Sequence, residues 1–236
     1  MPLPKLETPT YVTVLPIAKT EVEFRPFLVR EEKILLIAQE SSNNRDIIRS
    51  VLRVLRACTF EKIVVEDLCM CDFEYLFLQI RSKSVGETSK VKLKCEKDDH
   101  YTAVEISLSD VDITLTDNES DALSIIKLND DVSIKLQPLR VAAAVKLDEN
   151  NKADSLTEMI RASTEYVFDA NNTYSLDNVS KKEFEEFVSS MSHQNLEAIQ
   201  KYIDNQPFVS KTVEFTCEKC GHKNSIVLKG IASFFE

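Results

Sequence analysis

Two six-residue stretches of this chain are nearly the same: CEKDDH at 95–100 and CEKCGH at 217–222. Each lies between runs that alternate apolar and polar residues. KVKLKC leads into the first and YTAVEISL follows it; TVEFTC leads into the second and NSIVLKG follows it. Alternation with a period of two is the mark of a strand with one buried face. Both stretches therefore read as tight turns of antiparallel hairpins. In the second turn Cys217 and Cys220 present two thiols on one short loop, and Gly221 supplies a permissive backbone just past them. The two turns are 122 positions apart (217 − 95), so everything between them must leave and come back.

A structural zinc ion takes four ligands at the corners of a tetrahedron, drawn from thiolate, imidazole and carboxylate. One hairpin offers Cys217 and Cys220. The other offers Cys95, with Asp98 where the matching cysteine would stand and His100 two residues on. The expectation is a split zinc-ribbon-like module that uses Cys95, Cys217 and Cys220, with Asp98 or His100 as fourth ligand. The competing reading is a degenerate ribbon that has lost its metal and persists by packing. His222 reads as a solvated turn residue. Cys58, Cys69 and Cys71 read as core residues, because Cys69-Met70-Cys71 is too closely spaced for a knuckle.

The opening MPLPKLETPTYVTVLP lacks the charged and apolar regions of a secretory signal, so synthesis in the cytosol is expected. Thiols stay reduced there, which favours metal ligands and core residues over disulfides. The longest apolar run, ILLIA at 34–38, is too short to span a membrane. With 39 acidic and 29 basic residues the formal net charge is -10, and no basic run stands out. Nucleic-acid binders usually present a basic face. The balance here favours protein partners.

The segments outside the two turns divide by period. Tyr11, Thr13, Leu15, Val22 and Phe24 suggest two short strands with a turn near Lys19-Thr20. REEKILLIAQES predicts a buried helix. Ile47, Val51, Val54 and Leu55 predict a second helix, with Asn44 as its N-cap, and Phe73, Leu76, Phe77 and Ile80 form the face of a third that exits at Gly86. IIKLNDDVSIKLQP reads as a hairpin turning at Asn129-Asp130-Asp131, and Pro138 opens a short helix. The segment 154–206 is expected to be helical, with Leu156, Met159, Ile160 and Val167 on one face. A capping box at Ser180–Glu183 starts a helix carrying Phe184, Phe187, Val188 and Met191. A last helix carries Leu196, Ile199 and Ile203 before Pro207. Strands, helices, strands, helices, strands is an α+β order. The expected organisation is a helical body with short antiparallel hairpins: 1–89 as N-terminal strands and helices, 90–117 plus 207–236 as the split ribbon, and 118–206 as an insertion.

Catalytic signatures are missing from the sequence. Three glycines, Gly86, Gly221 and Gly230, cannot build a phosphate-cradling loop or a dinucleotide fingerprint. No G-x-S-x-G elbow and no H-E-x-x-H motif occur. His193 falls at an expected helix start, where capping or solvation accounts for it. The acid pairs Asp98-Asp99 and Asp130-Asp131 fall in turns. A redox role for Cys217-x-x-Cys220 would need the pair at a helix start after a strand, and here it lies between two strands. The expectation is a non-enzyme.

FRPFLVREEKILLIAQES, DFEYLFLQIRSKSVGE, IKLNDDVSIKLQP and VEFTCEKCGHKNSIVLKGIASFF together resemble the baseplate hub subunit of T-even-type contractile-tailed bacteriophages. The likeness covers most of the chain. That family's pattern has a second cysteine in the first turn, and this chain departs from it at Asp98. The resemblance implies a structural protein of the phage baseplate hub, made in the host cytoplasm and carried in the virion tail. A transient assembly factor for tape-measure or hub proteins, absent from the mature virion, is the alternative it leaves open. Expected partners are other hub or tail proteins, through the helices of 154–206 and the closing Ile231, Phe234 and Phe235, which otherwise dock on the chain's own core. A zinc-ribbon module that binds nucleic acid is the alternative of another class; Lys97, Lys219 and Lys223 favour it, while Glu96, Asp98, Asp99 and Glu218 offset them.

Overall fold

The computed structural model describes residues 6–40, 44–108, 111–114, 124–146, 152–230 and 233. They belong to two compact units, Met1–Thr114 with Phe208–Glu236, and Leu115–Pro207.

The first unit opens with the hairpin β1 (Tyr11–Val14) and β2 (Glu21–Phe24), in which Tyr11 faces Phe24. Lys19 takes a positive φ of 53° in its turn. Three helices follow: α1 (Val29–Gln39), α2 (Asn44–Cys58) and α3 (Met70–Val85). Val51, Val54 and Leu55 of α2 and Phe73, Leu76, Phe77 and Ile80 of α3 are fully buried, so the apolar stripes seen in the sequence meet in one core. Asn44 is the first helical residue of α2, one place later than an N-cap. Gly86, at φ 113°, ends α3.

The expected burial of α1 is corrected. Leu35 and Ala38 are buried, but Leu36 is 54% and Ile37 71% exposed. An unbroken apolar run has no stripe, so only the side that faces α2 is covered, and a charged residue, Glu31, takes an inward position. Its carboxylate meets Arg25 Nη2 at 3.1 Å and Arg30 Nε at 2.7 Å, and accepts the Leu28 amide at 2.7 Å. Burial pushes the Glu31 carboxyl up, but these donors outweigh it and hold it below its ordinary 4.5. A second buried carboxylate, Asp72 at the start of α3, accepts the amides of Ile17 (2.8 Å) and Ala18 (2.9 Å) and so pins the first hairpin's turn to the helix.

The remainder of this unit is sheet. β3 (Thr88–Lys94) pairs with β4 (Tyr101–Ser107), and β10 (Phe208–Thr216) lies between β11 (Lys223–Lys229) and β5 (Asp112–Thr114). Helix α3 packs against β10.

The second unit holds a four-stranded antiparallel sheet, β6 (Ile125–Lys127), β7 (Ser133–Leu136), β8 (Thr164–Phe168) and β9 (Thr173–Ser175), in that order. Asn129 Oδ1 accepts the amides of Asp131 and Val132 and closes the β6–β7 turn. Helices α4 (Val141–Ala144), α5 (Lys152–Ala162), α6 (Lys181–Ser189) and α7 (His193–Asp204) complete it. Ile134, Leu136, Ile160, Val167, Phe184, Val188, Ile199 and Tyr202 form its core. Val167 is on a strand and not on a helical face: TEYVF is rich in β-branched and aromatic residues, and β8 pairs with β7. The capping box at Ser180 is present, with Glu183 Oε2 accepting the Ser180 amide at 2.8 Å. Among the described residues no helix is long and apolar enough to cross a membrane.

Removing one partner of a buried ion pair strands the other. Glu31→Ala is expected to lower unfolding free energy by about 3 kcal/mol in urea denaturation. Because the folded Glu31 pKa lies below its ordinary 4.5, this contribution is present above that pH and is lost as pH falls through the folded value. The gap between wild type and Glu31→Ala should therefore narrow in acid.

Candidate metal centre

The two hairpins match residue for residue at the offset of 122. Lys94 pairs with Tyr101 and Thr88 with Ser107 in one; Thr216 pairs with Lys223 and Ser210 with Lys229 in the other. Val91 and Ile106 are buried in the first where Val213 and Leu228 are buried in the second. The turns close alike. The Cys95 amide donates to the His100 carbonyl at 2.8 Å, and the Cys217 amide to the His222 carbonyl at 2.8 Å. The Asp99 amide returns to the Cys95 carbonyl at 3.2 Å, and the Gly221 amide to the Cys217 carbonyl at 2.9 Å. Position 99 has φ 58° and position 221 has φ 70°. Glycine adopts that left-handed geometry freely, while aspartate takes it at a small cost.

Each turn is also held by the other hairpin. The Glu96 amide donates to Asn224 Oδ1 at 3.0 Å, and the Glu218 amide to Thr102 Oγ1 at 3.5 Å. Thr102 and Asn224 are both buried, and each stands seven residues after its own hairpin's cysteine. Reading the sequence missed this pair. Their shared offset from the cysteines was a usable signal, but two short polar side chains on exposed-looking strands do not announce a contact.

This exchange brings Cys95, Asp98, Cys217 and Cys220 together, with one ligand atom from each lying within 4.8 Å of the others. Cys95 Sγ and Cys220 Sγ are 3.8 Å apart, and Cys217 Sγ is 3.5 Å from Asp98 Oδ1. A tetrahedron with arms of 2.3 Å has edges of about 3.8 Å. Cys95 and Cys217 are buried, Asp98 half-buried and Cys220 exposed. His100 is not in the group; its amide donates to Asp98 Oδ1 at 3.1 Å. That amide is the main cause that holds the Asp98 carboxyl down at about 2, with the three neighbouring thiols adding to it. Burial raises the Cys217 thiol, but amide donors at Cys220 and Lys219 carry it below the ordinary thiol value. The Lys97 amide points at Cys95 Sγ from 3.4 Å. Amide donors on sulfur favour thiolate, the form that binds metal; at Cys220 the His222 amide acts the same way, but burial and the neighbouring Cys217, Cys95 and Asp98 outweigh it and push that thiol up to about 11. The group could hold one metal ion.

The remaining sequence candidates lie elsewhere. Burial pushes the Cys58 and Cys69 thiols up to about 12 and raises Cys71 as well, as for core sulfurs. His193 is exposed beside Glu197, 3.3 Å away. His222 is half-buried and serves the turn through its carbonyl. Ile231, Phe234 and Phe235 lie outside the described residues.

The chain belongs to the family of the T4 bacteriophage base plate protein, which it matches over residues 8–236. Membership gives it a structural role in the phage tail baseplate, among other tail and baseplate proteins. No curated protein and no solved structure matches it significantly.

Asn224→Ala is expected to cost about 1–2 kcal/mol in chemical denaturation, because it removes the acceptor of the Glu96 amide. Thr102→Val should cost less, since its contact with the Glu218 amide is longer.

Proposed function

We propose that this chain is a non-enzymatic component of the baseplate hub and that a structural zinc ion joins its two cysteine hairpins. The family match along almost the whole chain supports a baseplate component, and the resemblance of its motifs to the hub subunit supports the hub. The donor set supports the second: three thiols and a carboxylate within 4.8 Å of one another, two of whose separations, 3.8 and 3.5 Å, lie near the edge of a zinc tetrahedron. Cys95, Asp98, Cys217 and Cys220 are the proposed ligands. Bound zinc would supply a closed structural centre, and its binding free energy would add to folding free energy. The amides of Lys97 and His100 orient one sulfur and the carboxylate, the part that outer hydrogen bonds take at metal sites.

The hub role rests on partners, and the helices of 154–206 together with Ile231, Phe234 and Phe235 are the proposed contacts. Quantitative mass spectrometry of purified virions tests the role directly. A fixed ratio of this chain to known tail proteins is the expected result. Absence from virions with abundance in infected lysate would make the chain a transient assembly factor.

Protein purified without chelator is expected to carry about one zinc per chain. Cys217→Ser should lose the metal and melt at a lower temperature, while Cys69→Ser should keep it. A metal-free wild-type protein would overturn the zinc reading and leave the hub role standing.

A further inference from the structure

The two hairpins agree in register, in turn closure and in reciprocal bracing, but they differ at one corner of the metal group. Position 98 corresponds to position 220, and the first hairpin presents a carboxylate where the second presents a thiol. The surroundings of the corner are otherwise kept. Cys95 Sγ takes the Lys97 amide, and Asp98 Oδ1 takes the His100 amide at 3.1 Å while it stands 3.5 Å from Cys217 Sγ. The aspartate therefore points at the sulfurs from a fixed position, and its side chain is not turned out to solvent.

We infer that Asp98 is the residue that sets which metal this centre accepts: it makes a three-thiolate, one-carboxylate site that takes zinc and disfavours the softer ions a four-thiolate site would admit. The inference rests on the zinc reading above. A tetrahedron of four thiolates serves zinc or iron. Carboxylate is a hard oxygen donor, suited to harder ions, while thiolate is soft. Zinc is borderline and accepts both kinds together. Cadmium is softer than zinc and gains from every sulfur, so a single oxygen corner costs it more than it costs zinc. The net charge of the donor set is the same with four thiolates as with three and a carboxylate, so selectivity comes from donor softness and not from charge. The hairpin geometry at 220 already accommodates a cysteine turn with the same backbone hydrogen bonds. Asp98→Cys is therefore expected to fold and to complete a fourth thiolate.

The test compares wild type, Asp98→Cys, Asp98→Asn and Asp98→Ala, each full length and each loaded with zinc, cadmium or cobalt(II) alone. Asp98→Cys should bind one metal per chain and raise the cadmium-over-zinc preference about tenfold. Its cobalt–thiolate charge-transfer absorbance should rise by about a third over wild type, as four sulfurs replace three. Asp98→Asn and Asp98→Ala should weaken zinc by about tenfold or more while the cobalt–thiolate bands keep three-sulfur intensity. Wild-type zinc affinity and metal preference in Asp98→Asn and Asp98→Ala would overturn the inference and leave the metal centre with three cysteines. No metal bound by wild type or by Asp98→Cys would overturn the zinc reading, and the inference with it. If Asp98→Cys does not fold, the asparagine and alanine variants decide alone.

Discussion

The cysteine corner of the first unit depends on residues 95 and 217 being held side by side. The two are far apart in sequence, and nothing local brings them together. What does so is a reciprocal exchange, in which each hairpin lends a buried polar side chain, Asn224 or Thr102, to the first free amide of the other's turn. Each of these bonds is modest on its own, but a turn amide buried without an acceptor is costly. The thiols and the Asp98 carboxylate then meet in the space that this bracing leaves. A metal held there would add its binding free energy to this bracing.

The same use of polar anchors recurs in the helical part. Asp72 spends both carboxylate oxygens on two amides of the first hairpin's turn, and Glu31 gathers Arg25, Arg30 and the Leu28 amide. Apolar stripes bring the helices together, and polar anchors further restrict how they sit. A buried carboxylate with named donors fixes one register, because any other leaves it unsatisfied.

Much of the architecture was legible because the relevant residues act through short-range periodicity. Val51, Val54 and Leu55 on α2, the Phe73–Ile80 face of α3 and the Ser180–Glu183 box each follow from spacing within one turn or two. The cysteine group was legible for a different reason: CEKDDH and CEKCGH repeat one another, and repetition in sequence signalled proximity in space. Spacing alone left Asp98 and His100 open. Side-chain position separates them: Asp98 lies within reach of the three cysteines, while His100 is not in that group. Strand β8 was missed because Val167 continued a helical spacing by coincidence, and pairing with β7 is a tertiary fact that periodicity does not carry. The exposed Leu36 and Ile37 were misjudged because a run apolar on all sides gives no direction for its buried face.

Thr114 and Phe208 face one another across β5 and β10. The second unit therefore begins and ends at adjacent points of a sheet that belongs to the first. An insertion so placed costs the host little more than the closure of one loop, whatever its length. The first unit can thus keep its pairing and its cysteine corner while the inserted piece changes freely in size and surface.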